Sequence, residues 1–300
     1  MTQSVTYGFD RCVLNIGRTL LSFTAEGLTK GLAFSPSHDD FLITDYAKAS
    51  ITSCDFERLD FLINDVPISR QTTWKEKIAG TEIWELWTNW EGNYVFHNPL
   101  QDSYRQVIVE RDFSRGRVLG NFSFAPGTKV FPIPQDLEIV IFANWLGTFG
   151  DIILHASGIS KNGKGYVFAG NSGVGKSTLA AQLANYDGVT ILGEDQVILR
   201  RINNDFWVFG TPWHENPAMC SSLGVPLEKL YFLERGIGTS VEALPAIECV
   251  SRILQTAFIP YYQRSSLEKI VNNLETITRD YEIQVLCYQL GDDLLSLISN

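Results

Sequence analysis

The amino-terminal part of the chain consists of short apolar runs separated by Gly, Pro, Asn and Asp, a pattern that predicts strands joined by turns. Examples are residues 94–97 and 104–110, and residues 114–116 are predicted to form the turn before a further run at 118–124. The aromatic tract 83–96 fits a packed sheet face, and an aromatic platform for a ligand is the alternative interpretation. The pattern therefore predicts a β-rich amino-terminal region.

Helical periodicity dominates the rest of the pattern. A Pro-rich joint at 131–134 precedes helical spacing over 135–146, and apolar residues fall on one face over 247–258 and again over 267–277. Ser265 and Glu268 have the spacing of a capping box at the start of the last helix. We therefore divide the chain into a β-rich region, residues 1–130, and a second domain, residues 131–300.

Composition narrows the class of protein. Of the 300 residues 45% are hydrophobic and 19% are charged, and the net charge is -10, which excludes a disordered chain and disfavours nucleic acid as a partner. The five cysteines are scattered and form no Cys-x-x-Cys pair, so neither a disulfide framework nor a zinc site is expected. No apolar run of about 18 residues predicts a membrane span, and no secretion signal is visible. We expect a cytoplasmic protein.

The most specific motif is a G-x-x-x-x-G-K-[ST] sequence between an apolar run at 166–169 and a helical pattern that ends near Asp187. Its residues are Gly170, Asn171, Ser172, Gly173, Val174, Gly175, Lys176, Ser177 and Thr178. Backbone N–H groups can converge on phosphate oxygens only where side chains are absent, and the following helix N-terminus favours an anion. The motif predicts a nucleotide phosphate loop in which Lys176 reaches the β- and γ-phosphates and Ser177 coordinates magnesium.

A hairpin is predicted to lead into this loop. Asn162-Gly163 is the strongest two-residue hairpin signal, and with these residues at the turn the paired residue numbers sum to 325. That register sets His155 opposite Gly170. A histidine in this position is either a core residue or a group beside the phosphates, and the register favours the second interpretation.

Two adjacent carboxylates, Glu194 and Asp195, lie between the apolar runs 189–192 and 197–199. In phosphate-loop folds an acid after the neighbouring strand holds magnesium, and a kinase also needs a base for the proton of the acceptor hydroxyl. Asp195 toward the metal and Glu194 toward the acceptor is one division of these roles. The reverse division fits equally well, and simple turn residues at a strand end are the remaining alternative.

Together, His155, the phosphate loop and the paired acids resemble the catalytic domain of HPr kinase/phosphorylase, a family that shares its core with ATP-type phosphoenolpyruvate carboxykinases. The detailed likeness covers about residues 150–200, and residues 205–235 resemble the HPr-kinase-related branch. The resemblance implies an α/β protein in which the β-rich amino-terminal region is followed by a P-loop domain with a mixed sheet and carboxyl-terminal helices.

The resemblance also implies roles for single residues. Glu194 would be the acid/base with His155 as its neighbour, and Asp195 with Ser177 would be the ligands of Mg²⁺. The choice of ATP as the nucleotide comes from the resemblance as well. His214 follows a Thr-Pro-Trp turn and is a secondary candidate, with either a structural role or a place near the site.

The sequence departs from the family at several positions. Glu194 replaces the usual first aspartate, Thr178 stands where HPr kinases usually have Glu, and their glycine-rich signature after the acids is not found. The resemblance therefore does not extend to HPr as the substrate, to phosphorylase activity or to a hexamer, and the carboxykinase reaction is not expected.

From these observations we expect a kinase that uses ATP and Mg²⁺ to phosphorylate a hydroxyl, in the first instance a serine of a protein or peptide. One alternative is a small-molecule kinase on the same core, with a sugar or an amino acid as the acceptor. The other is a nucleotide-gated binding module with little transfer activity. Self-association into a homo-oligomer is left open.

Overall fold

The computed structural model describes residues 11–26, 32–43, 56–65, 74–100, 105–120, 132–236 and 238–289. Contacts divide the chain into two compact units, Met1–Phe142 and Ala143–Asn300, and the division falls within helix α1 (Gln135–Gly147). The boundary placed near residue 130 from the sequence lies outside the described residues. In the part of the chain that is described, no helix is long and apolar enough to cross a membrane.

The amino-terminal unit contains an eight-stranded mixed sheet in the order β1-β2-β3-β8-β7-β6-β5-β4. Strand β3 pairs in parallel with both β2 and β8, and the other neighbours pair antiparallel. The strands are β1 (Arg11–Ile16), β2 (Thr19–Glu26), β3 (Glu57–Asp65), β4 (Trp74–Gly80), β5 (Glu85–Asn89), β6 (Tyr94–His97), β7 (Gln106–Val109) and β8 (Arg115–Gly120).

Aromatic packing fills this sheet. The rings of Phe23 and Phe61 stack with centroids 5.5 Å apart, and a Cβ at Gly116 would lie 2.2 Å from the Phe61 ring, so only glycine fits there. In the aromatic tract, Phe96 is fully buried, whereas Trp90 is 70% exposed. Most of the tract therefore serves the packing of β5 and β6.

The carboxyl-terminal unit is built on a second mixed sheet, in the order β12-β10-β11-β15-β14-β13-β9-β17, with β18 pairing with β15 and β16. Its strands are β9 (Ile152–Leu154), β10 (Ala156–Lys161), β11 (Lys164–Ala169), β12 (Val189–Gly193), β13 (Val197–Ile202), β14 (Asp205–Gly210), β15 (Gly224–Glu234), β16 (Ser240–Ala243), β17 (Ala257–Phe258) and β18 (Glu282–Cys287). Its helices are α2 (Lys176–Leu183), α3 (Ala246–Thr256) and α4 (Arg264–Asp280). The fold is thus α/β with two mixed sheets, mostly strands and a few helices.

The predicted hairpin is confirmed. Strands β10 and β11 pair antiparallel, with Ala156 opposite Ala169 and Lys161 opposite Lys164, which is the register inferred from the turn. Both turn residues, Asn162 and Gly163, have positive φ (51° and 80°), as a two-residue turn of this type requires.

Helices cover both faces of the second sheet, and alternation along β11 shows how the sequence directs this. Tyr166 and Phe168 pack against α2, whereas Val167 and Ala169 belong to the core beneath α3 and α4. Strand β11 has the antiparallel partner β10 on one side and the parallel partner β15 on the other. The carboxyl ends of β11 and β15 therefore lie at the same edge of the sheet.

Two helix ends differ from the sequence prediction. The chain leaves α3 at Thr256 and pairs with β9, so Phe258 lies in a strand. The capping box at the last helix is wrong: α4 begins at Arg264, after Gln263, and Glu268 forms an ion pair with Arg264. An i,i+4 ion pair on an exposed helix face competes for the same carboxylate.

A buried ion pair connects β9 and β13. The side chain of Asp151 accepts a hydrogen bond from Arg200 Nε at 2.8 Å, and these side chains are 2% and 7% exposed. The other carboxylate oxygen of Asp151 accepts from the backbone N–H of Arg201 at 2.9 Å. Both oxygens are thus satisfied, as a buried carboxylate requires.

Candidate active site

Residues Gly170–Gly175, which we call the glycine loop, connect β11 to α2. Gly173 and Gly175 have φ of 77° and 114°, in the left-handed region where a side chain causes strain. Asn171, Ser172 and Gly173 are exposed. The strand, loop and helix follow in the predicted order, although α2 ends at Leu183, four residues before Asp187.

Lys176, the first residue of α2, folds back over the glycine loop. Its Nζ donates to the carbonyl oxygens of Gly170 at 2.9 Å and Asn171 at 3.3 Å, and the residue is only 6% exposed. Burial lowers the pKa of its ammonium, and the charge of Asp195 opposes that shift. Ser177 and Thr178 follow on the first turn of α2 and are exposed.

Two side chains that the sequence analysis missed contact the glycine loop. Arg235, just after β15, donates from Nη2 to the carbonyl oxygen of Gly173 at 2.7 Å. Tyr288, just after β18, donates from Oη to the carbonyl oxygen of Gly175 at 2.9 Å. A Cβ at Gly175 would lie 2.5 Å from that hydroxyl, a second reason for glycine there. No local motif marks these residues, because their placement depends on the parallel pairing of β11, β15 and β18.

The acidic pair lies in the bend between β12 and β13, at the same edge of the sheet as the glycine loop. The Ser157 hydroxyl of β10 donates a hydrogen bond to the backbone carbonyl of Glu194, which fixes the bend. Both acids are half-buried. Burial, followed by the charges of Asp195 and Glu215, raises the pKa of Glu194.

His155 contacts the second acid of the pair. Its Nδ1 lies 3.2 Å from Asp195 Oδ1, with side-chain exposures of 35% and 48%, and its backbone N–H donates to Thr256 at 2.7 Å. A carboxylate accepts, so Nδ1 carries the proton of this hydrogen bond. The resemblance implied His155 beside Glu194, whereas the structure pairs it with Asp195. Because the chain bends between β12 and β13, the two acids leave it in different directions, and Asp195 is the one that reaches the imidazole.

His214 supports the bend from the core side. Thr211 Oγ1 donates to the Gln196 carbonyl at 2.9 Å, and because a hydroxyl has one proton, His214 Nε2, 3.1 Å away, donates to Thr211. The imidazole also packs on Gly193, where a Cβ would lie 2.9 Å from Nε2. Burial lowers the pKa of His214 to about 4. A neutral histidine therefore buttresses the segment that carries the acids.

The structure brings most of the predicted site residues to one edge of the sheet. The end of β11, the start of β10 and the end of β12 are neighbours in the register, which groups Lys176 with His155 and the acidic pair. Within the described ranges, no group of three or more His, Cys, Asp or Glu side chains is placed to hold a metal ion by itself. The arrangement combines a buried cation, a glycine loop and two carboxylates in different environments.

No family model matches the chain, and no curated protein matches it. Among solved structures, the chain is similar to the Hpr(Ser) kinase/phosphatase from Coxiella burnetii, with 13% sequence identity over 49% of this chain and 85% of that chain and a TM-score of 0.27. This weak similarity hints at a kinase-like fold for about half of the chain. It identifies neither a substrate nor a reaction.

Proposed function

We propose that the carboxyl-terminal unit is an ATP-dependent kinase that phosphorylates a hydroxyl, with a serine of a protein or peptide as the acceptor. The observation that carries the proposal is the convergence of the buried Lys176, the glycine loop and the His155–Asp195 pair at one edge of the sheet. A phosphoryl-transfer site needs this combination of a phosphate cradle, a cation and carboxylates.

In this proposal the glycine loop and Lys176 hold the phosphates. Lys176 already lies over the loop, so its ammonium can exchange the carbonyls of Gly170 and Asn171 for phosphate oxygens. The lowered pKa of Lys176 reflects burial without a direct carboxylate contact, and a phosphate would supply the missing negative charge. The exposed start of α2 adds N–H groups that favour an anion.

The residues that would hold Mg²⁺ are Ser177 and Asp195. Magnesium binds through one or two carboxylates together with substrate phosphates and water, and one hydroxyl with one carboxylate suits that preference. The hydrogen bond from His155 engages Asp195 Oδ1, which orients the other oxygen for the metal. When bound, Mg²⁺ neutralises charge on the transferred phosphoryl group.

Glu194 is the proposed base that receives the proton of the acceptor hydroxyl. Its raised pKa makes it a better proton acceptor than an ordinary surface carboxylate, because a general base is most effective when its pKa lies near the working pH. Ser157 and the His214–Thr211–Gln196 chain fix the bend that carries it. His155 and His214 are thus positioning residues for the two acids.

The test is a transfer assay with ATP labelled on the γ-phosphate and, as acceptors, free serine and serine-containing peptides. Glu194→Gln should lower turnover by about 100-fold or more while ATP affinity stays within about threefold. Lys176→Ala should instead weaken ATP binding. Glu228→Gln, an exposed carboxylate paired with Lys164 at the other end of the hairpin, is the matched control and should behave as wild type.

The acceptor panel separates the alternatives. Transfer to peptides supports the proposal, and transfer to free serine alone indicates a small-molecule kinase. Binding of ATP without transfer to any acceptor would indicate a nucleotide-binding module and refute the kinase assignment. Unchanged ATP affinity in Lys176→Ala would refute the phosphate loop itself.

A further inference from the structure

Arg235 occupies a position that the proposed mechanism does not yet use. It follows β15, whose residues Phe232 and Tyr231 pair in parallel with Ala169 and Phe168 of β11. Two parallel neighbours end at the same edge, so the chain delivers Arg235 to the glycine loop, where Nη2 donates to the Gly173 carbonyl at 2.7 Å.

The surroundings leave the charge of Arg235 available. The adjacent carboxylate of Glu234 is engaged by Arg252 of α3 at 2.5 Å, and Arg252 also binds Glu248 at 2.6 Å. Across the described ranges, no carboxylate lies within ion-pair distance of Arg235, which is exposed. Its guanidinium therefore keeps an uncompensated positive charge beside a loop built for anions.

The chemistry of the guanidinium suits a phosphate. It has five N–H donors in a planar fork, and the bond to Gly173 uses one of them. Lys176, in contrast, is buried on the inner side of the loop and is a point charge. A nucleoside triphosphate carries more negative charge than one ammonium compensates, so a second cation on the exposed side of the loop has a clear use.

We propose that Arg235 binds the terminal phosphate of the nucleoside triphosphate and so discriminates triphosphate from diphosphate. This inference rests on the proposed phosphate loop and adds a second cation to it. The bond to Gly173 holds the guanidinium against the loop, and the remaining N–H groups face the phosphate. Arg235 is thus a specificity residue for the nucleotide.

The experiment measures the Kd of Mg-ATP and of Mg-ADP by calorimetry for wild type and Arg235→Ala, Arg235→Lys and Arg235→Gln. Charge-assisted hydrogen bonds of this kind predict that Arg235→Ala weakens ATP binding by about tenfold and ADP binding by less than about threefold. Lysine keeps the charge and should restore part of the ATP affinity, whereas glutamine keeps a donor for Gly173 and should restore none. Arg264→Ala, an exposed arginine on α4, is the control.

Other results would overturn the inference. Equal loss of ATP and ADP affinity, with rescue by glutamine, would show that Arg235 only braces the loop. Wild-type ATP affinity in Arg235→Ala would show that it has no part in binding. If Lys176→Ala loses ATP while Arg235→Ala does not, the phosphate loop stands and this inference alone fails. If wild type binds neither nucleotide, both fail together.

Discussion

The buried His214 makes the stability of the carboxyl-terminal unit depend on pH in a calculable way. The side chain is 5% exposed and donates to Thr211 as a neutral imidazole, and burial lowers its pKa from 6.5 to about 4. In the unfolded chain the same group keeps its ordinary pKa, so between these two values the unfolded state binds a proton that the folded state excludes.

The sign and magnitude follow from proton linkage. A lowered pKa in the folded state leaves stability intact above pH 6.5 and removes it as the pH falls toward 4. A depression from 6.5 to about 4 corresponds to a loss of about 2 kcal/mol at pH 5 and about 3 kcal/mol at pH 4, relative to pH 7. Carboxylates also titrate in this range, so the contribution of His214 must be taken as a difference between variants.

The assay is urea unfolding of wild type and His214→Gln at pH 7, 5 and 4, followed by tryptophan fluorescence. Glutamine can donate to Thr211 but does not titrate. Hydrogen exchange of β13 and β14 amides assigns the affected transition to the unit that contains His214. The expected result is a stability difference, wild type minus variant, that falls by about 3 kcal/mol between pH 7 and pH 4.

A parallel loss of stability in wild type and His214→Gln would refute the reasoning, because it would place the pH dependence elsewhere. Thr211→Val guards against a trivial result. It removes the acceptor for Nε2 and leaves the histidine buried, so the pH-dependent loss should persist in that variant while the stability at pH 7 falls.

Two further predictions follow from the charges of the carboxyl-terminal unit. Asp151→Asn should destabilise it by about 3–5 kcal/mol in urea unfolding, because Arg200 is left buried without its counter-charge; a loss below about 1 kcal/mol would contradict a buried ion pair. Glu215→Gln should move the acidic limb of the kcat/KM profile to lower pH, since the charge of Glu215 contributes to the raised pKa of Glu194. A limb that stays in place, as it should in Glu228→Gln, would show that Glu194 does not control it.

The parts of the fold that follow from local signals were predicted from the sequence. The Asn162-Gly163 turn fixes the register of β10 and β11, because a two-residue loop allows little choice of pairing. The order of strand, glycine loop and helix likewise depends on neighbouring residues. The end of α2 was less predictable, since Ala184 to Asp187 continue as turns with no strong stop signal.

The parts that depend on long-range pairing were not predictable. Nothing near Arg235 or Tyr288 in the sequence marks them as neighbours of the glycine loop, because their place depends on β15 and β18 lying parallel to β11 and to each other. The partner of His155 was also misjudged. A register specifies which backbone positions are opposite, whereas the bend between β12 and β13 decides which acid meets the imidazole.

The two contacts that hold the glycine loop from outside have a consequence for how the loop acquires its shape. They join residues 62 and 113 positions apart in the chain, so neither can form until β15 and β18 have been added to the sheet. Because closing such long segments is slow and costly in chain entropy, the loop is expected to be among the last regions to order during folding. An excised hairpin with its helix would keep the motif but lack the contacts that shape it.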